Sequence, residues 1–244
     1  MPHKIMAHMV AFFPDREGSL ETARALVDGG ASCLEVQFPF SDPTADGPAI
    51  QEACRTALAS GFKSRSGFSL VGEIRRMTAV PVFVMGYANT VFFHGVGRFV
   101  DALKESGADG IIVPDLPPDY DEGLFDAGSE AGIEVVPVIA PAIGEERLEM
   151  ILSSASKYLY AALRQGITGA YTEIGDGNIA FLQRAGRTGK LLLGGFGISE
   201  RKQVEALAPH VHAAVVGSAF IRAVLERGRS SVYEAVAAKM RSLA

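Results

Sequence analysis

The chain has 244 residues, 48% of them hydrophobic, with 23 Lys and Arg against 28 Asp and Glu. A net charge of −5 with no basic patch excludes nucleic acid as a partner, because phosphate-backbone binding needs clustered cations. No apolar run reaches the ~18–20 residues of a membrane span, and no leader pattern is visible, so a cytoplasmic protein that does not engage a membrane is expected.

Strand-like and helix-like stretches alternate from end to end. Residues 5–12 predict a first strand and 19–29 a helix. Residues 32–37 predict a second strand, and 48–60 and 69–77 two helices. The third strand is expected at 82–85, followed by one helix over 91–106 that Gly107 ends. The fourth strand is expected at 110–113 with a helix at 120–131, and the fifth at 134–139 with a helix at 145–153. Residues 158–162 predict the sixth strand, followed by a glycine-rich loop at 164–177 and a helix at 179–185. The seventh strand is expected at 191–194 with a helix at 200–207. The eighth is expected at 213–216, with helices at 219–227 and 231–243. Short β-branched or Leu-rich runs alternating with amphipathic helices imply parallel strands with right-handed crossovers. Eight repeats at this length give an α/β fold, a single (β/α)8 TIM barrel over residues 1–244 with its helices outside. A doubly wound open sheet is the alternative, but it needs edge strands, and none here looks protected as an edge. Cys33 and Cys54 have no metal or disulfide spacing and read as buried thiols of a reducing compartment.

In such barrels chemistry collects where strands end. Glu35 lies in the apolar second strand, and burying a charge unpaired is expensive. The strand runs into a loop stiffened by Pro39, Pro43 and Pro48 that carries two more acids, Asp42 and Asp46. Two carboxylates in different surroundings are a common means of combining acid and base chemistry. Asp46, in Ala-Asp-Gly-Pro, also reads as an ordinary turn residue. Tyr87 and Asn89 follow the third strand, Asp115 the fourth, and Tyr160 falls in the sixth. Gly194-Gly-Phe-Gly-Ile-Ser199 follows the seventh, and Gly217-Ser218 opens a helix after the eighth. A glycine turn beside a helix N-terminus offers backbone amides to a phosphate without any Lys or Arg. The alternative is that these glycines only make tight turns.

The segment Leu34-Glu-Val-Gln-Phe-Pro-Phe-Ser-Asp-Pro-Thr-Ala-Asp-Gly-Pro-Ala-Ile-Gln51 resembles the signature of the tryptophan synthase α subunit family. Tyr87-Ala-Asn89, Asp115-Leu-Pro117, Arg164-Gln-Gly-Ile-Thr-Gly169, Gly195-Phe-Gly-Ile-Ser199 and Gly217-Ser-Ala219 fall in the family's order and approximate spacing. The resemblance implies retro-aldol cleavage of indole-3-glycerol phosphate to indole and glyceraldehyde 3-phosphate, with no metal or organic cofactor. It implies a β subunit as partner, in an α2β2 assembly, to which indole passes for tryptophan synthesis. By the same resemblance Glu35 is the catalytic acid/base, and Asp46 accepts a hydrogen bond from the indole N–H. Gly169, Gly197, Gly217 and Ser218 hold the phosphate. Tyr160 lies near the glycerol, or packs as a core aromatic of the barrel, and Thr168 helps close the site against Asp46. Phe196 is expected at the substrate, although an aromatic there also reads as packing. Pro39 and Asp42 face the β subunit, and Asp115 supports the site or caps a helix.

Some residues depart from the family pattern. Gln37 stands where glycine is frequent, which could alter the pocket floor or reach Asp115. Thr44 replaces a frequent leucine. Only residues 1–4 precede the first strand, where the family has a helix covering the barrel bottom; the 231–243 helix is a candidate cover. A stand-alone lyase and a non-catalytic activating subunit are the alternative functions, and retained Glu35 and Asp46 argue against the second. An isomerase barrel of the histidine pathway would carry acids after strands one and five. Asp15 is present, but strand five ends Val138-Ile-Ala-Pro141.

Overall fold

The strands are short and buried on both faces, as parallel strands wrapped by helices must be. The computed structural model describes residues 3–164, 171–187, 189–228 and 231–243. Among the described residues the strands are β1 (Ile5–Val10), β2 (Cys33–Gln37), β3 (Val82–Met85), β4 (Gly110–Ile112), β5 (Glu134–Val136), β6 (Val138–Ile139), β7 (Tyr158–Ala162), β8 (Leu191–Gly195) and β9 (Ala213–Val216). They pair in the order β5-β4-β3-β2-β1-β9-β8-β7-β6, every pair parallel. The two ends of that order are neighbours in the chain, separated only by Pro137. β5 bonds β4 and β6 bonds β7, so residues 134–139 close the ring. The fold is therefore the expected (β/α)8 barrel, with its fifth strand broken at one residue. Proline gives the ladder no N–H, but the Pro137 carbonyl still accepts from Tyr160 N at 3.0 Å.

The described helices are α1 (Arg16–Asp28), α2 (Pro48–Ala59), α3 (Ser64–Met77), α4 (Ala88–His94), α5 (Val96–Ser106), α6 (Leu124–Ala131), α7 (Glu145–Ser154), α8 (Asp176–Gly186), α9 (Arg201–Leu207), α10 (Ser218–Arg227) and α11 (Val232–Arg241). None is long and apolar enough to cross a membrane. The single helix expected over 91–106 is two. Gly95, at φ 83°, ends α4 and opens α5 in a conformation that glycine adopts without steric cost. The helix expected from residue 120 begins at Leu124, because Pro118–Tyr120 makes a 3-10 turn and Asp121 then accepts from Phe125 N at 2.7 Å. Asp15 accepts from Gly18 N at 2.8 Å and caps α1, which explains that acid without catalysis.

Side chains alternate across each strand. One face packs under the helices. The other fills the barrel with Met6, Cys33, Phe83, Met85, Tyr87, Ile112, Val136, Tyr160, Leu193, Ala213 and Val215. Residues two along from Met6 and Cys33 share that inner face, which places His8 and Glu35 inside the barrel. The β1–β2 register sets them side by side. At the opposite end, where strands begin, Pro81, Asp109, Glu134, Lys157 and Tyr158 surround an open depression. The candidate cover of that end, α11, does not line it. Tyr233 instead donates to Asp28 at 2.9 Å, and Met240 packs on Gly29, so α11 lies along α1.

Gly110 marks a place where the barrel has no room for a side chain. A Cβ there would fall 2.4 Å from the Glu134 carbonyl oxygen and 2.9 Å from the Phe83 ring. Gly110→Ala should lose about 1–3 kcal/mol by overpacking, or about 2–4 °C in Tm per kcal/mol at this size. Gly97→Ala, within α5 and with nothing in reach of its Cβ, should be neutral or stabilising. Thermal unfolding followed by circular dichroism checks both; equal Tm values for the two variants would contradict this packing.

Candidate active site

The acidic loop after β2 returns over the end of the barrel and places Asp46 beneath it. Asp46 is 2% exposed, Glu35 3% and His8 5%, so three ionisable groups share one buried space. Gln37, at the end of β2, donates from Nε2 to Asp46 Oδ2 at 2.6 Å. The Tyr87 hydroxyl, one residue beyond the β3–Gly86 junction, donates to the same oxygen at 2.8 Å and accepts from Ala45 N at 3.2 Å. Two strand ends thus clamp one carboxylate oxygen. Phe40 stacks on Tyr87 at 5.3 Å and covers the clamp. Gln37 reaches Asp46, and Asp115 bonds elsewhere: it accepts from Ala88 N at 2.9 Å and caps α4. Burial pushes the Asp46 carboxyl above its ordinary value, while the charge of His8 and the bonds from Gln37 and Tyr87 act in the opposite direction.

Glu35 is held differently. His8 Nδ1 lies 3.2 Å from Glu35 Oε2, an ion-pair distance, but off hydrogen-bond alignment, so Oε2 makes no hydrogen bond. One carboxylate is held by two hydrogen bonds and its neighbour faces the histidine alone. Burial alone would push the His8 imidazole down; the charge and side-chain contact of Glu35, then the charge of Asp46 and the Gln37 side chain, outweigh it and hold it above the usual histidine value.

Across the barrel, β8 is followed by Phe196 at φ 130° and Gly197 at φ 72°. A phenylalanine in that region of backbone space is strained, and such strain persists where surrounding contacts enforce it. Gln203 supplies them. It accepts from Ser199 N at 2.8 Å and Glu200 N at 2.9 Å, and donates to the carbonyls of Gly197 at 2.9 Å and Thr172 at 2.6 Å. Gly217 precedes α10, whose first N–H groups have no helical acceptor. His8, Glu35, Asp46, Tyr160, Phe196, Gly197, Gly217 and Ser218 line one pocket.

The structure therefore brings most of the expected site residues together. Pro39 is buried and Asp42 exposed on the acidic loop. Thr168 and Gly169 lie outside the described residues. His8, the hydroxyl of Tyr87 and the staple made by Gln203 were not singled out for these roles from the sequence. His8 and Gln203 are polar residues at buried positions, but only the strand register and the loop path show what they touch.

The family model for the tryptophan synthase alpha chain matches residues 3–243. The tryptophan synthase alpha chain of Helicobacter hepaticus is 36% identical over 235 residues, covering 93% of this chain and 88% of that one. That of Roseiflexus castenholzii is 37% identical over 237 residues, covering 96% and 90%. A chain of a solved tryptophan synthase complex from Pyrococcus furiosus superposes with a TM-score of 0.89 at 34% identity, covering 99% of this chain and 97% of that one.

The raised Asp46 value has a stability consequence. An acid raised on folding costs stability when ionised. The cost is absent below the unfolded-state value of about 3.9 and complete above the folded-state value. Asp46→Asn keeps an oxygen for Gln37 and Tyr87 and should raise Tm at pH 8. The gain over the parent chain should shrink on acidification and vanish near pH 4, the unfolded-state range. Calorimetry from pH 4 to 8 checks this; a lower Tm at pH 8, or a gain independent of pH, would contradict it.

Proposed function

The chain belongs to the tryptophan synthase alpha chain family, and from that premise we propose that Glu35 and Asp46 carry its reaction. The family's activity is a carbon–carbon lyase step of tryptophan biosynthesis, cleavage of indole-3-glycerol phosphate to indole and glyceraldehyde 3-phosphate. The reaction needs two proton movements. A proton added at indole C3 leaves an iminium-like ring, cationic at nitrogen. Loss of the proton from the adjacent glycerol hydroxyl forms the carbonyl, and the pair from the broken C–C bond restores neutral indole. Glu35 supplies one proton and accepts the other, so it ends as it began. The observation that carries this reading is that Glu35 Oε2 has no hydrogen bond in the cavity where Asp46 Oδ2 is doubly held. A carboxyl that is not locked by hydrogen bonds suits proton transfer. A fixed carboxylate suits stabilisation of the charge that develops at the indole nitrogen, because it need not reorganise.

The phosphate rests on the amides near Gly197, Gly217 and Ser218, with Gly169 joining from the following loop. Tyr160 and Phe196 flank the glycerol and indole. Thr168 closes the loop over Asp46. The exposed Asp42 meets a β subunit, with Pro39 shaping the loop from within, in an α2β2 assembly that takes up indole. The Pyrococcus furiosus neighbour comes from a tryptophan synthase complex, which supports the partner. A cytoplasmic location accompanies that pathway.

Glu35→Gln keeps the shape and removes the transferable proton. Indole release should fall by about 10²–10⁴-fold, the usual weight of a general acid/base, while glycerol 3-phosphate still binds. More than a tenth of parental turnover would sink the assignment. Gly217→Val would press on the His8 ring, since even a Cβ there lies 2.9 Å from His8 Cδ2. Its substrate KM should rise with the far-ultraviolet spectrum unchanged; an unaltered KM would place the phosphate elsewhere.

A further inference from the structure

His8 is not accounted for by the two-carboxylate chemistry. It is 95% buried by its 5% exposure, yet its Nε2 has no hydrogen-bond partner. Such a buried nitrogen calls for an explanation, because each unsatisfied polar group costs free energy. The ring touches two parts of the site at once. Nδ1 faces Glu35 Oε2 at 3.2 Å, and the Cδ2 edge, which adjoins Nε2, packs on Gly217 at the start of α10. The described residues lining this cavity include no Lys and no Arg. A phosphate dianion seated on backbone amides alone would thus share the space with two carboxylates and no fixed cation.

We propose that His8 is a substrate-binding residue, whose imidazolium donates from Nε2 to the phosphoglycerol end of the substrate while Nδ1 faces Glu35. This rests on the reading of Gly197, Gly217 and Ser218 as the phosphate cradle. Glu35 and Asp46 both favour the charged imidazole, and burial opposes them without prevailing. Gln37 on β2 also acts on the ring and does not titrate; Tyr160 on β7 and Cys33 on β2 share the barrel interior. Burial raises both, Cys33 to about 12, so neither changes charge near neutrality. Gly217 and Ser218, on the β9 side, do not titrate. The cation therefore serves two anions in turn: it balances the carboxylates in the free protein and the phosphate in the complex. A bound dianion must in turn raise the proton affinity of His8.

The test is binding of glycerol 3-phosphate by calorimetry between pH 7 and 10, where this ligand is predominantly a dianion, on the parent chain, His8→Phe and His8→Gln. The parent Kd should rise as the imidazolium is lost, by up to tenfold per pH unit above the titration midpoint that the NMR measurement locates. Both variants should bind weakly at pH 7 and show no such slope. On the parent chain, ¹⁵N NMR of the imidazole should show the His8 titration midpoint moving upward when the ligand is added, a readout that does not depend on the variants folding. A parent Kd without slope, variants with the parental slope, or an unmoved midpoint would overturn the role of His8 and leave the phosphate cradle standing. A parent chain that does not bind glycerol 3-phosphate at all would overturn both.

Discussion

The clamp on Asp46 is the interaction on which the rest of the site depends. A carboxylate that is 2% exposed can stay in place only if its charge is answered locally. Gln37 and Tyr87 do so from adjacent strands, both on Oδ2. Their separation is set by the β2–β3 ladder, which pairs Gln37 with Met85, two residues before Tyr87. The acidic loop is therefore tied to the barrel rim through the group whose charge the chemistry uses. Loosening either donor would release the loop and leave the carboxylate unanswered together.

The barrel makes this geometry inexpensive to hold. Parallel register brings His8 beside Glu35 without any loop to fix it. Closure through residues 134–139 brings β7 and β8 round to face β1 and β2, so that Tyr160 and the Phe196–Gly197 turn stand opposite the carboxylates. The strained turn is pinned by Gln203, which also ties it to Thr172 of the glycine-rich loop. Rigid strand ends carry the ionisable groups, and glycine-rich turns carry the backbone donors, a division that suits positioned proton transfer on one side and anion binding on the other.

Much of this is legible in the sequence because it is written in local pattern. An acid within an apolar strand, a stiff Pro-rich loop with a second acid, and glycines at strand ends point to Glu35, Asp46 and the Gly197–Gly217 side. Alternation of strands and helices gives the barrel. What local pattern does not carry is register and path. His8 is one polar residue among apolar neighbours until β1 is set against β2. Gln37 could equally have met Asp115, and only the fold of the acidic loop brings it to Asp46. The breaks at Gly95 and Pro137 fall within continuous apolar periodicity. There a single residue's backbone chemistry, a positive φ in one case and a missing N–H in the other, overrides the pattern of its neighbours.

The most direct measurement is a crystal structure of the Glu35→Gln chain soaked with intact indole-3-glycerol phosphate, since the variant should hold the substrate without turning it over. The expected result is the indole N–H on Asp46, the glycerol hydroxyl and indole C3 facing residue 35, and the phosphate on the amides near Gly197, Gly217 and Ser218. Substrate bound with its indole nitrogen away from Asp46, or with the scissile bond out of reach of residue 35, would contradict the assignment of the two carboxylates.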